Sequence, residues 1–248
     1  MVSGLGSGAI YAALALALVL IHRATGVINF AQGEMAMFTT YIAWTLIENH
    51  GWSYWPAFVV TLGFAFLLGL GVQRVVIAPV SNAPILTIVI MTIGLVLTFN
   101  GLASLIWSAE IRSFPSPFPN ETWQIGGVSI SQQDVGTFAV VLVLVGLLWA
   151  FFQFTKVGLA LRASALNPDA SRLVGVRVGW MLAIGWGLAA MLGAVAGGLL
   201  LGVGLNLIGN YIDFVGADLK LPVALLTILV VLLVRPAGLF GEPVTRRV

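Results

Sequence analysis

The polar residues that could do chemistry in this chain lie close together near its start. In "GVINFAQGEMAMF", Gly26 to Phe38, two amides and a carboxylate (Asn29, Gln32 and Glu34) fall within six positions of an otherwise aliphatic sequence. That spacing can serve two ends. Asn29 followed three residues on by Gln32 has the spacing of a capping box, asparagine as N-cap and glutamine at the third helical position. Gly26 breaks the preceding segment, so the pattern predicts a helix restarting at Phe30. Glu34 then sits in its early turns, where the dipole favours a carboxylate. On this reading the three residues cap a helix near the cytosolic interface, with Glu34 paired to Arg23. On the other, the broken helix lines a translocation path that includes Asn29, Gln32, Gly33 and Glu34. Free amide donors at a helix start suit a carboxylate ligand, and ionisable groups inside a membrane are functional by default.

Composition sets the solvent for these residues. The chain has 248 residues, 60% hydrophobic and 8% charged, with a mean hydropathy of +1.06. A soluble domain carries about 25% charged residues, and so few charges would leave large apolar patches facing water. The solvent is therefore lipid. With no cysteine there is no disulfide framework, thiolate metal site or thiol nucleophile. A net charge of +2 is no nucleic-acid footprint. No G-x-x-x-x-G-K-[ST] stretch cradles ATP phosphates, and "GLGSG" at Gly4–Gly8 lacks the lysine. His22 and His50 stand alone, which argues against a metal. No catalytic residue, metal or cofactor is expected of this chain, and no enzyme activity.

A helix crosses a bilayer in roughly 17–25 residues. Apolar runs of that kind are Gly4–Ile21, Phe30–Ile47, Tyr54–Val72, Pro84–Trp107, Val135–Phe154 and Trp180–Gly204, and a seventh is built around Leu221–Val234. Helices are the default because open sheet edges go unsatisfied in hydrocarbon. Basic connections (Arg23; Arg74; Lys156, Arg162, Arg172 and Arg177 against Asp169; Arg235, Arg246 and Arg247) alternate with acidic ones (Glu48; Glu110, Glu121 and Asp134 against Arg112; Asp213 and Asp218 against Lys220). The basic ones belong inside. The expected fold is an all-α integral membrane protein of about seven transmembrane helices forming a single domain over residues 1–248. Its N-terminus lies outside and its C-terminus in the cytosol. Residues 108–134, rich in proline and serine, read as an irregular external loop. Gly4/Gly8, Gly193/Gly197 and Gly198/Gly202 have the small-xxx-small spacing that lets helix backbones approach.

The cytosolic loop at 155–179, "TKVGLALRASALNPDASRLVGVRVG", carries its own helix punctuation. Asn167 is a good N-cap, Pro168 fits the first helical position and Asp169 suits the positive end. Gly175 supplies the residue just past the end. The short helix so defined places Ala170, Leu173 and Val174 on one side and turns Ser171 and Arg172 away. It can lie in the lipid interface or dock into a groove on another protein.

These stretches carry a resemblance. "GLGSGAIYAALALALVLIHRATGVINFAQGEMAMF" resembles the amino-terminal signature of the LivH-type branched-chain amino acid permeases. "KVGLALRASALNPDASRLVGV" is similar to their cytosolic loop, of the EAA coupling type, and "RPAGLFG" from Arg235 to their closing motif. The resemblance covers nearly the whole chain. It implies the multi-pass permease subunit of an ATP-binding-cassette importer in the cytoplasmic (inner) membrane, carrying branched-chain or similar small amino acids. It also implies four kinds of partner: a second permease subunit, two cytosolic ATPases that bind the ATP, an extracytoplasmic amino-acid-binding protein, and the bilayer. Coupling to the ATPases then falls on Gly158, Arg162, Asn167, Ala170, Arg172, Leu173 and Gly175. One departure stands out. "LGAVAGGLLLG" (Leu192–Gly202) joins the start of a further hydrophobic stretch usual in the family directly to its end. The alternatives are a self-sufficient secondary transporter or channel, and an internally deleted, non-transporting permease.

Overall fold

The computed structural model describes residues 2–26, 28–108, 115–119, 121–125 and 128–211, with side chains at 12–22, 25–26, 28–108, 115–119, 121–124 and 131–197. The expected span at Leu221–Val234 and the "RPAGLFG" segment lie outside the described residues. Packing separates the chain into Met1–Gly204 and Leu205–Val248. Of the second unit, the described part is the end of one helix.

In order, the elements are α1 (Val2–Thr25), α2 (Gln32–Trp44), α3 (Tyr54–Val72), α4 (Ile85–Trp107), β1 (Thr122–Ile125), β2 (Val128–Ser131), α5 (Gln132–Phe154), α6 (Lys156–Leu166), α7 (Pro168–Leu173) and α8 (Val178–Tyr211). α2 runs on through a π turn, Thr45–Asn49, and α3 through another, Gln73–Ile77. Among the described residues four helical stretches are long and apolar enough to cross a membrane: Tyr54–Val80, Ile85–Trp107, Gln132–Phe154 and Val178–Gly197. α1 adds a shorter apolar stretch, Ala12–His22. α2 with its π turn covers Gln32 to Asn49, long enough for a crossing, but with Gln32, Glu34, Glu48 and Asn49 it is not among the four apolar stretches.

Part of the 108–134 segment is more ordered than its prolines and serines predict. β1 and β2 pair antiparallel, Thr122 opposite Ser131 and Ile125 opposite Val128. The signal lies in "TWQIGGVSIS": two short runs of β-formers around Gly126–Gly127, the spacing of a two-residue hairpin. The hairpin leads into α5, where the Gln132 amide donates to the Glu121 carbonyl at 3.1 Å.

α8 is the inner helix. Of its apolar window 67% is buried, against 11% for α5. Lipid tails are as apolar as leucine, so close packing rather than water exclusion holds such helices together. Glycine makes that packing possible at Gly69 on α3, where a Cβ would lie 2.4 Å from the Trp186 carbonyl oxygen of α8. On the other flank α2 is fastened to α4 by aromatic rings. Phe38 meets Phe99 at 5.5 Å and Trp107 at 5.3 Å, and Tyr41 stacks on Trp107 at 5.2 Å. The Trp107 indole N–H donates to Thr45 Oγ1 at 2.7 Å. Residue numbers rise together along both helices, so α2 and α4 run parallel.

α1 lies along α5, which enters from the β hairpin and leaves into α6. At the other end of α3, the Arg74 guanidinium sits 4.3 Å over the ring of Trp180, at the start of α8. The alternation of basic and acidic connections leads to the expectation that the hairpin lies outside and α6 inside. The chain has no cysteine, so single cysteines report sidedness directly. Exposed Thr122 and Ala165, each changed to cysteine, are expected to react with an impermeant maleimide from opposite faces, Thr122→Cys from outside. Labelling of both from one face would contradict the orientation.

Candidate functional site

α1 stops at Gly26, whose φ of +70° is a conformation glycine adopts without strain. The chain resumes as a helix at Gln32, two residues later than the capping pattern predicts. The capping box does not form: the N-cap position is Ala31, and no side chain caps the helix. Asn29 instead accepts from the Ala31 amide at 3.1 Å through Oδ1 and donates to Gln32 Oε1 at 3.3 Å through Nδ2. Both amides are buried, Asn29 at 1% exposure and Gln32 at 2%. Local bonding within the turn has displaced the cap because Gln32 is drawn to a distant partner.

That partner sets the depth of the turn. Gln32 Nε2 donates to the Ala189 carbonyl of α8 at 2.9 Å. Ala189 is eleven residues along α8 from Val178, about 16 Å at 1.5 Å per residue. Measured from the start of α8, that is about half of a hydrocarbon core of about 30 Å, so the start of α2 lies away from a membrane edge. Irregular backbone at such depth is tolerated only where protein or a water-filled cavity surrounds it. The fit relies on glycine. A Cβ at Gly193 would lie 2.6 Å from Gln32 Nε2, and one at Gly197 2.5 Å from Thr40 Oγ1. The small-xxx-small pair Gly193/Gly197 forms a notch that admits α2.

Glu34 faces the other way. Its Oε2 is buried without a hydrogen-bond partner, and the Asn100 side chain of α4 lies at the carboxylate. The side chain of Arg23 lies outside the described residues. Gly33 has open space where a Cβ would point. The four residues thus divide: Asn29 and Gln32 hold the fold, Glu34 turns toward α4, and Gly33 faces open space. Asn100 belongs with them, and its signal in the sequence was a lone amide within the apolar run "IVIMTIGLVLTFNGLASLIW".

The loop after α5 forms as its punctuation predicts. Asn167 accepts from the Ala170 amide at 3.0 Å, with Pro168 in the first turn. Gly175 has φ +84°. Its amide donates to the Arg172 carbonyl and the Val176 amide to the Ser171 carbonyl, both at 3.0 Å, which is a Schellman closure. Arg172 pairs with Asp169 at 2.8 Å on the exposed side. Ser171 is buried, while Leu166, Leu173 and Val174 are 87%, 89% and 79% exposed. Ala170 is exposed beside them. Two other loop residues serve α5. A Cβ at Gly158 would lie 2.3 Å from the Phe151 carbonyl oxygen, so this glycine makes the α5–α6 corner, and Arg162 donates to Gln153 Oε1 at 3.4 Å.

A multi-pass helical protein with a broken helix at mid-depth and an apolar-faced loop helix has the form of a transport permease. The family described as "Branched-chain amino acid transport system / permease component" matches residues 1–238, and the chain belongs to it. It is similar to the high-affinity branched-chain amino acid transport system permease protein LivH of Escherichia coli (strain K12), 29% identical over 227 residues, 86% of this chain and 73% of that protein. It is also similar to the permease protein BraD of Pseudomonas aeruginosa, 26% identical over 301 residues, 100% of this chain and 97% of that protein. That alignment is longer than the 248 residues here, so this chain is gapped against BraD. No solved structure matches. Membership makes this a permease component of the cytoplasmic membrane, in a family of transport components rather than enzymes.

Gly193→Ala is expected to destabilise the protein by about 1–3 kcal/mol through overpacking against Gln32, less the few tenths to 1 kcal/mol that alanine gains over glycine in a helix. In a Gln32→Ala background the same change should cost clearly less, since the obstructing amide is gone. Thermal unfolding in detergent of both singles and the double reads this out, and additive effects would contradict the contact.

Proposed function

We propose that this chain is the permease subunit of an ATP-binding-cassette importer for branched-chain or similar small amino acids. The observation that carries the reading is the solvent-facing apolar surface of α6 and α7 (Leu166, Ala170, Leu173 and Val174), in a membrane protein whose family is one of amino-acid permeases. A short, rigidly capped helix presenting such a face fits a groove on a second protein. The partner is the cytosolic ATPase, which binds the ATP this chain has no loop to hold. A second permease subunit and an extracytoplasmic binding protein complete the importer.

The route from that surface to the broken helix is short. α8 starts three residues after Gly175 and carries the Gln32 contact at Ala189. A push on α7 is delivered along α8 to the start of α2, where Gly33 and Glu34 line the path. ATP-driven closure of the two ATPases alternately opens that path outward, to the binding protein, and inward.

Ala170→Glu places a charge in the docking face. Gly175→Val forces a β-branched residue to positive φ, at a cost of about 1 kcal/mol or more. Each is expected to abolish both ATPase co-purification and ATP-dependent leucine uptake, with membrane insertion at wild-type level. Retained co-purification in both would assign the loop to the lipid interface instead. Uptake that survives ATP depletion would point to a secondary transporter.

A further inference from the structure

Asn100 is a polar side chain in an unfavourable place. It is exposed on α4, seven residues before the helix ends at Trp107, about 10 Å of rise and well within a hydrocarbon core of about 30 Å. Leu97, Leu102 and Leu105 on the exposed surface of the same helix suit lipid. An amide does not, and in structures such groups face a water-filled cavity or another protein. Glu34 stands beside it, with Oε2 unpartnered. The described lysine and arginine side chains lie on the connections and helix ends, at Arg74, Lys156, Arg162, Arg172 and Arg177. None of them is placed along the membrane-spanning part of α4 to neutralise Glu34.

What this pair leaves unmet is an acceptor: the Asn100 NH2 donates to the carboxylate, yet Glu34 Oε2 stays buried with no partner. An ionised carboxylate only accepts, and the Asn100 carbonyl accepts as well. A primary ammonium supplies three N–H donors and a positive charge. We infer that Glu34 and Asn100 form the subsite that reads the α-ammonium group of the transported amino acid. This rests on the importer reading above and sharpens it. Of the residues in the interrupted segment, Glu34 selects for a cation, whereas Asn29 and Gln32 act only through the fold. A substrate lacking the amino group leaves the carboxylate unpaired and is rejected on that account.

The test uses the assembled importer in proteoliposomes, with uptake of radiolabelled leucine counted per assembled complex. Glu34→Gln keeps the shape and removes the charge, and uptake is expected to fall by about tenfold or more, as for loss of one member of a hydrogen-bonded charge pair. Adding Asn100→Asp returns a carboxylate to the opposite side of the pair and restores most of the lost uptake, which a merely structural role for Glu34 would not do. Thr98→Val, two residues away on the exposed surface, transports as the wild type does. Wild-type uptake by Glu34→Gln, or no recovery in the double variant, overturns the inference and leaves the importer standing. Absence of ATP-dependent amino-acid uptake by the unaltered complex overturns both.

Discussion

Backbone and amide groups placed in a membrane must find their hydrogen bonds inside the protein, and this chain brings an interrupted helix to mid-depth. One contact makes that arrangement hold: Gln32 of α2 donating to the Ala189 carbonyl of α8. It needs the missing side chain at Gly193, because a Cβ there would occupy the space of the amide. Asn29 is then satisfied inside the turn, by the Ala31 amide and by Gln32 itself. The rest of α2 follows. With one face seated in the Gly193/Gly197 notch, its opposite face, through Phe38 and Tyr41, reaches the rings of α4.

The same contact divides the polar residues of the opening stretch by role. Two of them are buried and bonded, and a group whose hydrogen bonds are already made has little left for a ligand. Glu34 is the reverse case: turned toward Asn100, with one oxygen free. Burying a carboxylate is costly unless a cation or donors meet it. In the proposed subsite the cargo brings that cation. α8 runs from beside the loop helix α7 to the Gln32 contact at the start of α2.

Much of this was legible in the sequence. The spans from Tyr54, Pro84 and Val135 fall within a few residues of α3, α4 and α5, because each is a continuous apolar run with polar or proline edges. Asn167, Pro168 and Gly175 predicted α7 and its closure, since caps and positive-φ glycines are local chemistry. The depth of α2 was not legible. Whether Asn29 and Gln32 cap a helix at an interface or sit at mid-membrane depends on a carbonyl 157 residues away in the chain, and no local pattern encodes that distance. The outward turn of Asn100 was hidden for the same reason. The hairpin at Thr122–Ser131 was readable from "IGGV" but masked by the prolines and serines before it.

The central claim is the depth at which α2 begins, and a cysteine pair tests it in a chain that has no other cysteine. A Cβ at Gly193 would lie 3.5 Å from the Cβ of Ala36, within disulfide range. If α2 instead began level with Val178, Ala36 would face the neighbourhood of Ala183. Oxidising membranes that carry Ala36→Cys with Gly193→Cys, or with Ala183→Cys, each in a Gln32→Ala background that clears the space a Cβ at 193 would enter, discriminates between the two positions. The account predicts rapid cross-linking of the 36–193 pair and none of the 36–183 pair. The reverse pattern would contradict it.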